Sequence, residues 1–87
     1  MTSAQIDKFV QARRRALLSM DESRIRRFMR KWNPDAEPPE DPQVFWASVH
    51  KARTAATDLP EADRFNSHQW LKNRRLTSYY EPEPSEA

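Results

Sequence analysis

Not one of the 87 residues is glycine. A chain without glycine lacks the residue that enters left-handed turns at no steric cost. Tight β-hairpins, phosphate loops, dinucleotide fingerprints and nucleophile elbows are therefore all disfavoured together. What remains is a succession of helices closed by capping side chains and prolines. The seven prolines agree with this, since every one lies at Pro34 or later and two fall in the final segment. The chain reads as all-α.

Cysteine is also missing, which removes disulfide frameworks, zinc ribbons and thiol chemistry. No run comes near the 18 or so apolar residues of a membrane span, and the N-terminus lacks an apolar signal region. The expected setting is soluble and cytoplasmic, away from membranes. A chain of 87 residues makes one small domain, burying only about 60–65% of its unfolded surface. Because 37% of residues are apolar and 32% charged, three Trp, four Phe and two Tyr must supply much of the core.

Four helices follow from periodicity and start signals. The first runs from Ser3, as N-cap, to about Leu18, with Ile6, Phe9, Val10, Leu17 and Met20 on one stripe. Arg13 projects into the middle of that stripe, its aliphatic stem lying along apolar surface. This helix, residues 1–19, is expected either docked on the core or extended, where it could serve as a homodimer contact. The second starts at Ser19 or Asp21 and shows a face of Ile25, Phe28, Met29 and Trp32. Asn33-Pro34 ends it, and an acidic connector over Asp35 to Asp41 follows.

The third helix has Asp41 as N-cap and Pro42 at the first helical position, and runs to about Thr57. Its buried stripe is Phe45, Val49, Ala52 and Ala56, flanked by Val44 and Trp46. Asp58-Leu59-Pro60-Glu61 repeats the start pattern for a fourth helix. There Phe65 and Leu76 share a face, and Ser67 is a candidate cap for a break near Asn66; a single, weakened helix is preferred. The expected architecture is a small bundle of three core helices over residues 20–78, with the first helix added. The third and fourth helices are also compatible with a helix-turn-helix. Tyr79 and Tyr80 are candidates to fold back, at the head of a disordered acidic tail over 79–87.

The net charge is only +2, but it is unevenly spread. Lys8 to Lys31 holds nine basic residues against Asp21 and Glu22, while Asp35 to Asp41 carries four carboxylates. On the second helix, Arg24, Arg26, Arg27, Arg30 and Lys31 occupy the face away from the apolar stripe. Such a face can track phosphates, giving salt-sensitive affinity. It can equally be a solvated face, or bind an acidic host protein or the acidic connector. Arginine outnumbers lysine there by four to one, which favours recognition by directed hydrogen bonds.

Trp70-Leu71-Lys72-Asn73-Arg74-Arg75 resembles the recognition helix of homeodomains, with its Trp-Phe-x-Asn-Arg-Arg core. The resemblance implies Asn73 as a base reader and Arg74 and Arg75 as phosphate contacts, with Lys72 beside them. It ends after six residues. Counting back would lay that family's first helix over Pro38 and Pro39, so the local match is read as coincidental. The phrase Val-Phe-Trp-Ala-Ser-Val-His-Lys-Ala-Arg, with Leu-Pro-Glu and Trp-Leu downstream, resembles small uncharacterised proteins of actinobacterial genomes and their phages. That resemblance spans about Met20 to Arg75. It implies a context of small helical regulators of DNA transactions or binders of host proteins, and no activity.

Trp46, His50 and Arg53 recur along one edge of the third helix and form a candidate partner-binding strip, Trp and Arg being favoured hot-spot types. The plainer reading makes Trp46 core and His50 its hydrogen-bonded edge. His50 and His68 have no nucleophile or metal-ligand spacing around them, so neither enzyme activity nor a metal or cofactor is expected. The expected function is a non-enzymatic accessory or regulatory protein that binds nucleic acid through Arg-rich helix surfaces. The alternative is a protein-binding modulator or inhibitor of a host protein, acting through the first helix or the strip on the third.

Overall fold

A computed structural model describes residues 2–81. Among the described residues the chain is all-α, with four helices: α1 (Ser3–Ser19), α2 (Glu22–Trp32), α3 (Pro42–Ala55) and α4 (Glu61–Asn73). They fall into two compact units, Met1–Trp46 and Ala47–Ala87, with the division inside α3. Phe9 of α1 stacks on Phe28 of α2 at 5.7 Å and meets Trp32 edge-on at 5.2 Å, so α1 docks on α2.

The helix starts follow capping chemistry. Thr2, one residue before the expected cap, accepts from Gln5 N, and Gln5 Oε1 accepts from Thr2 N in return, a reciprocal capping box. Asp21 takes the α2 cap, accepting from Arg24 N at 3.1 Å. Ser19 instead links the two helices, donating to Ala16 O and accepting from Asp21 N. Asp41 caps α3 as expected, through Gln43 N and Val44 N. At α4 the N-cap position is Pro60, two residues after Asp58, the cap of the expected start pattern, and it makes no side-chain cap bond.

In the first unit Ala16, Leu17, Ile25 and Phe45 are buried. The apolar stripe of α1 is truncated at both ends, since Ile6 and Met20 are exposed. Arg13 lies 5.7 Å from the Phe9 ring centroid, so its stem does run along the stripe. Pro38 of the connector is buried as well.

In the second unit the buried set is Val49, His50, Arg53, Thr54, Ala56, Leu59, Ser67 and Leu71. Two expectations need correction. Ala52 is exposed, and Arg53 takes the inward position because Ser67 and Asp63 of α4 satisfy its guanidinium. Phe65 on α4 and Leu76 beyond its end are exposed, so they do not form a shared helical face, while Ser67 and Leu71 are buried. The helix is unbroken through Asn66, and Ser67 is an internal side chain rather than a cap. Tyr79 and Tyr80 do fold back: Tyr79 N donates to Thr54 Oγ1, and Tyr80 Oη donates to Glu61 Oε1 at 2.9 Å. Of the acidic tail beyond them, Glu81 is described and 82–87 lie outside the described residues.

The missing glycine leaves a trace in the backbone. The left-handed positions after α1 and α4 are filled by Met20 (φ 50°) and Arg75 (φ 57°). Around Arg75, Leu76 N donates to Leu71 O and Arg75 N donates to Lys72 O. This is the Schellman pattern, whose left-handed residue is usually glycine. Met20 is half-exposed, so replacing it sacrifices little packing. Met20→Gly is expected to stabilise the chain by about 0.5–1 kcal/mol, read as a higher denaturant midpoint at unchanged m-value.

Candidate nucleic-acid interface

The docking of α1 on α2 brings together two sets of cations that the sequence holds apart. Lys8, Ala12 and Arg15 stand at i, i+4 and i+7 on α1 and so share one face; Arg24, Arg27 and Lys31, at i, i+3 and i+7, share one on α2. Between them runs a groove of about 430 Å³, its apolar wall made by Ala12, Ala16, Phe28 and Trp32. No carboxylate lines it. Two acids of this unit stand at other cations: Glu22 pairs with Arg26 at 3.2 Å, and Glu37 stands 4.0 Å from Arg30. Among the described residues, the five groove cations make no ion pair.

The five candidates on α2 therefore separate. Arg24, Arg27 and Lys31 face the groove. Arg30 is exposed at the Glu37 contact. Arg26 is half-buried and structural: its guanidinium lies 4.2 Å from the Phe45 ring centroid, and Nη1 donates to Pro39 O at 2.8 Å. From the sequence, Lys8 was not singled out as a binding residue, and Arg15 only as part of the Arg13 to Arg15 run near the basic face of the second helix. Their i, i+7 spacing was visible there, but only the docking of α1 gives it meaning.

The second group of candidates belongs to the other unit. Lys72, Asn73 and Arg75 are exposed. Arg74 rests 3.8 Å from the Trp70 ring centroid and donates to Trp70 O. Because α4 ends at Asn73, Arg74 and Arg75 do not continue a helix as the homeodomain resemblance would require.

The strip of Trp46, His50 and Arg53 is not displayed as a surface. Trp46 is half-buried, edge-on to Phe45 at 5.1 Å, while His50 and Arg53 are 6% and 4% exposed. Both converge on Ser67, whose hydroxyl accepts from Arg53 Nε at 2.7 Å and lies 2.9 Å from His50 Nδ1. The Ser67 hydroxyl has one proton and a second lone pair beside the one Arg53 uses, so the direction of its bond with His50 Nδ1 follows the imidazole tautomer. The ring also stacks on Trp70 at 4.3 Å. Burial first, then the charges of Arg53 and Arg74, lower its pKa from 6.5 to about 4. Ser67 is fully buried, so this pair is a packing device with no reach to a substrate. Sequence reasoning missed Ser67 because its partners lie 14 and 17 residues away.

Among the described residues no cluster of three His, Cys, Asp or Glu side chains is placed to hold a metal ion. No helix among them is long and apolar enough to cross a membrane. No protein-family model matches the chain, and comparison with curated proteins and with solved structures gives no match.

Two measurements check these assignments. Between pH 6.5 and about 4 the unfolded chain binds a proton that native His50 refuses. Stability is therefore complete above that window and falls as pH drops through it, by at most about 3 kcal/mol from this group. His50→Gln should flatten that part of the stability–pH curve; identical slopes for the two proteins would contradict a neutral, buried His50. Separately, Arg26→Ala should cost about 1–2 kcal/mol through its lost ring contact and hydrogen bond. Arg27→Ala should stay within about 0.5 kcal/mol in the same denaturant titration.

Proposed function

We propose that this chain is a non-enzymatic accessory protein that binds nucleic acid by its phosphates, with the α1–α2 groove as the principal contact. The observation behind this reading is the convergence of Lys8, Arg15, Arg24, Arg27 and Lys31 on one groove without a lining carboxylate. A solvated helix face spreads its charge and intersperses acids. Here Glu22 and Glu37 stand at Arg26 and Arg30, outside the groove. Five cations in such a groove would each displace a counterion from a phosphate chain, and that release drives association. The exposed Lys72, Asn73 and Arg75 at the end of α4 supply a secondary contact of the same kind. A regulatory role fits a binder of this size that holds phosphates.

The test is a salt titration of binding to DNA and RNA oligonucleotides. Affinity should fall steeply with salt, and Arg24→Gln with Arg27→Gln should reduce the log–log slope by about 2 while leaving the fold intact. Absence of binding at low salt, or an unchanged slope in the double variant, would overturn the groove as the contact surface.

A further inference from the structure

Phe28 and Trp32 do more than wall the cationic groove. The same two rings also line a second recess of about 390 Å³, completed by Phe9, Met29, Pro38 and Pro39. This recess is apolar and aromatic, and its one carboxylate, Glu37, stands 4.0 Å from Arg30. Phe9, Phe28 and Trp32 are each only half-buried. Trp32 has no parallel aromatic partner, since Phe9 meets it at 71° and Phe28 at 43°. Lys31 Nζ lies 5.7 Å from its ring centroid, which puts a phosphate-binding group beside an indole.

We propose that the ligand of the groove is a single strand of nucleic acid, whose phosphates follow the cations while a base enters the Phe28–Trp32 recess. This rests on the nucleic-acid reading above and narrows it. A duplex offers the groove its phosphates but keeps base faces stacked inside, so it has nothing apolar to put in the recess. A single strand offers both at once, and cations interleaved with aromatic rings are the surface that such strands use. The recess lies within the size range of small-ligand pockets, about 300–1,000 Å³, enough for a heterocyclic base. Stacking of this kind tolerates every base, so the expected binding is selective for strandedness and weakly selective for sequence.

The experiment varies the ligand and leaves the protein intact. An oligothymidylate, an abasic deoxyribose-phosphate oligomer of equal length and charge, and a duplex of the same length are titrated at one low salt concentration. The base-bearing single strand is expected to bind about tenfold tighter than the abasic oligomer, and tighter than the duplex per phosphate. Trp32→Leu should lower the affinity for the oligothymidylate by a larger factor than the affinity for the abasic oligomer, since Trp32 also walls the cationic groove. Equal affinity for the base-bearing and abasic oligomers, or preference for the duplex, would overturn the single-strand inference and leave phosphate binding standing. Failure of all three to bind would overturn both. Should Trp32→Leu unfold, the three-ligand comparison on the parent protein still decides.

Discussion

The basic part of this chain depends on three aromatic rings. Phe9, Phe28 and Trp32 hold α1 against α2, and those helices bring five cations to one groove. Each pair of exposed like charges about 8 Å apart costs roughly 0.5 kcal/mol in a water-like dielectric, and salt screens it further. Each aromatic pair returns about 0.5–1.5 kcal/mol beyond its buried area, and Leu17 and Ile25 add buried aliphatic surface beneath. The attraction wins, but the repulsion stays within the folded state. An anion entering the groove would relieve it, so the contact that closes the first unit also sets the strength of the proposed binding.

The second unit solves a different problem. Its inner residues include a histidine, an arginine, a threonine and a serine, groups that cost free energy when buried without partners. Ser67 settles most of this by standing between Arg53 and His50. Asp63 takes the far end of the Arg53 guanidinium at 3.2 Å, and Thr54 accepts from Tyr79 N. Arg64 donates to Thr54 O. A network satisfied this fully rigidifies its surroundings, and removing one member strands the rest. The depressed pKa of His50 follows from the same arrangement: a proton there would meet Arg53 in a site that has excluded water.

How far the sequence could be read depended on whether a residue's partner was local. The helix count, the Asp21 and Asp41 caps and the α2 face of Ile25, Phe28, Met29 and Trp32 rest on spacings of a few residues, and they were legible. The inward turn of Arg53 and the exposure of Ala52 were not, because periodicity assigns arginine to solvent unless a distant serine and aspartate are known to wait for it. Helix α4 gave a poor pattern for the same reason, since its buried face runs through Ser67 to Leu71. The left-handed ends at Met20 and Arg75 were hidden because the usual signal for them is glycine. For the candidate site, the arginines of α2 were visible; their division into groove residues and the structural Arg26 required Phe45 and Pro39.

That division bears on how a basic helix should be interpreted. Arg26 and Arg27 are adjacent, identical in chemistry and both outside the apolar stripe. A ring at 4.2 Å and a carbonyl at 2.8 Å commit Arg26 to the fold, whereas Arg27 faces a groove without a carboxylate. Charge density along the sequence cannot separate two such residues; the local balance of partners can. Where acids and carbonyls are consumed by neighbouring cations, the cations left over mark the surface on which an external anion gains most. In the first unit that surface adjoins a wall of half-buried aromatic rings, and their adjacency favours a strand that presents phosphate and base together.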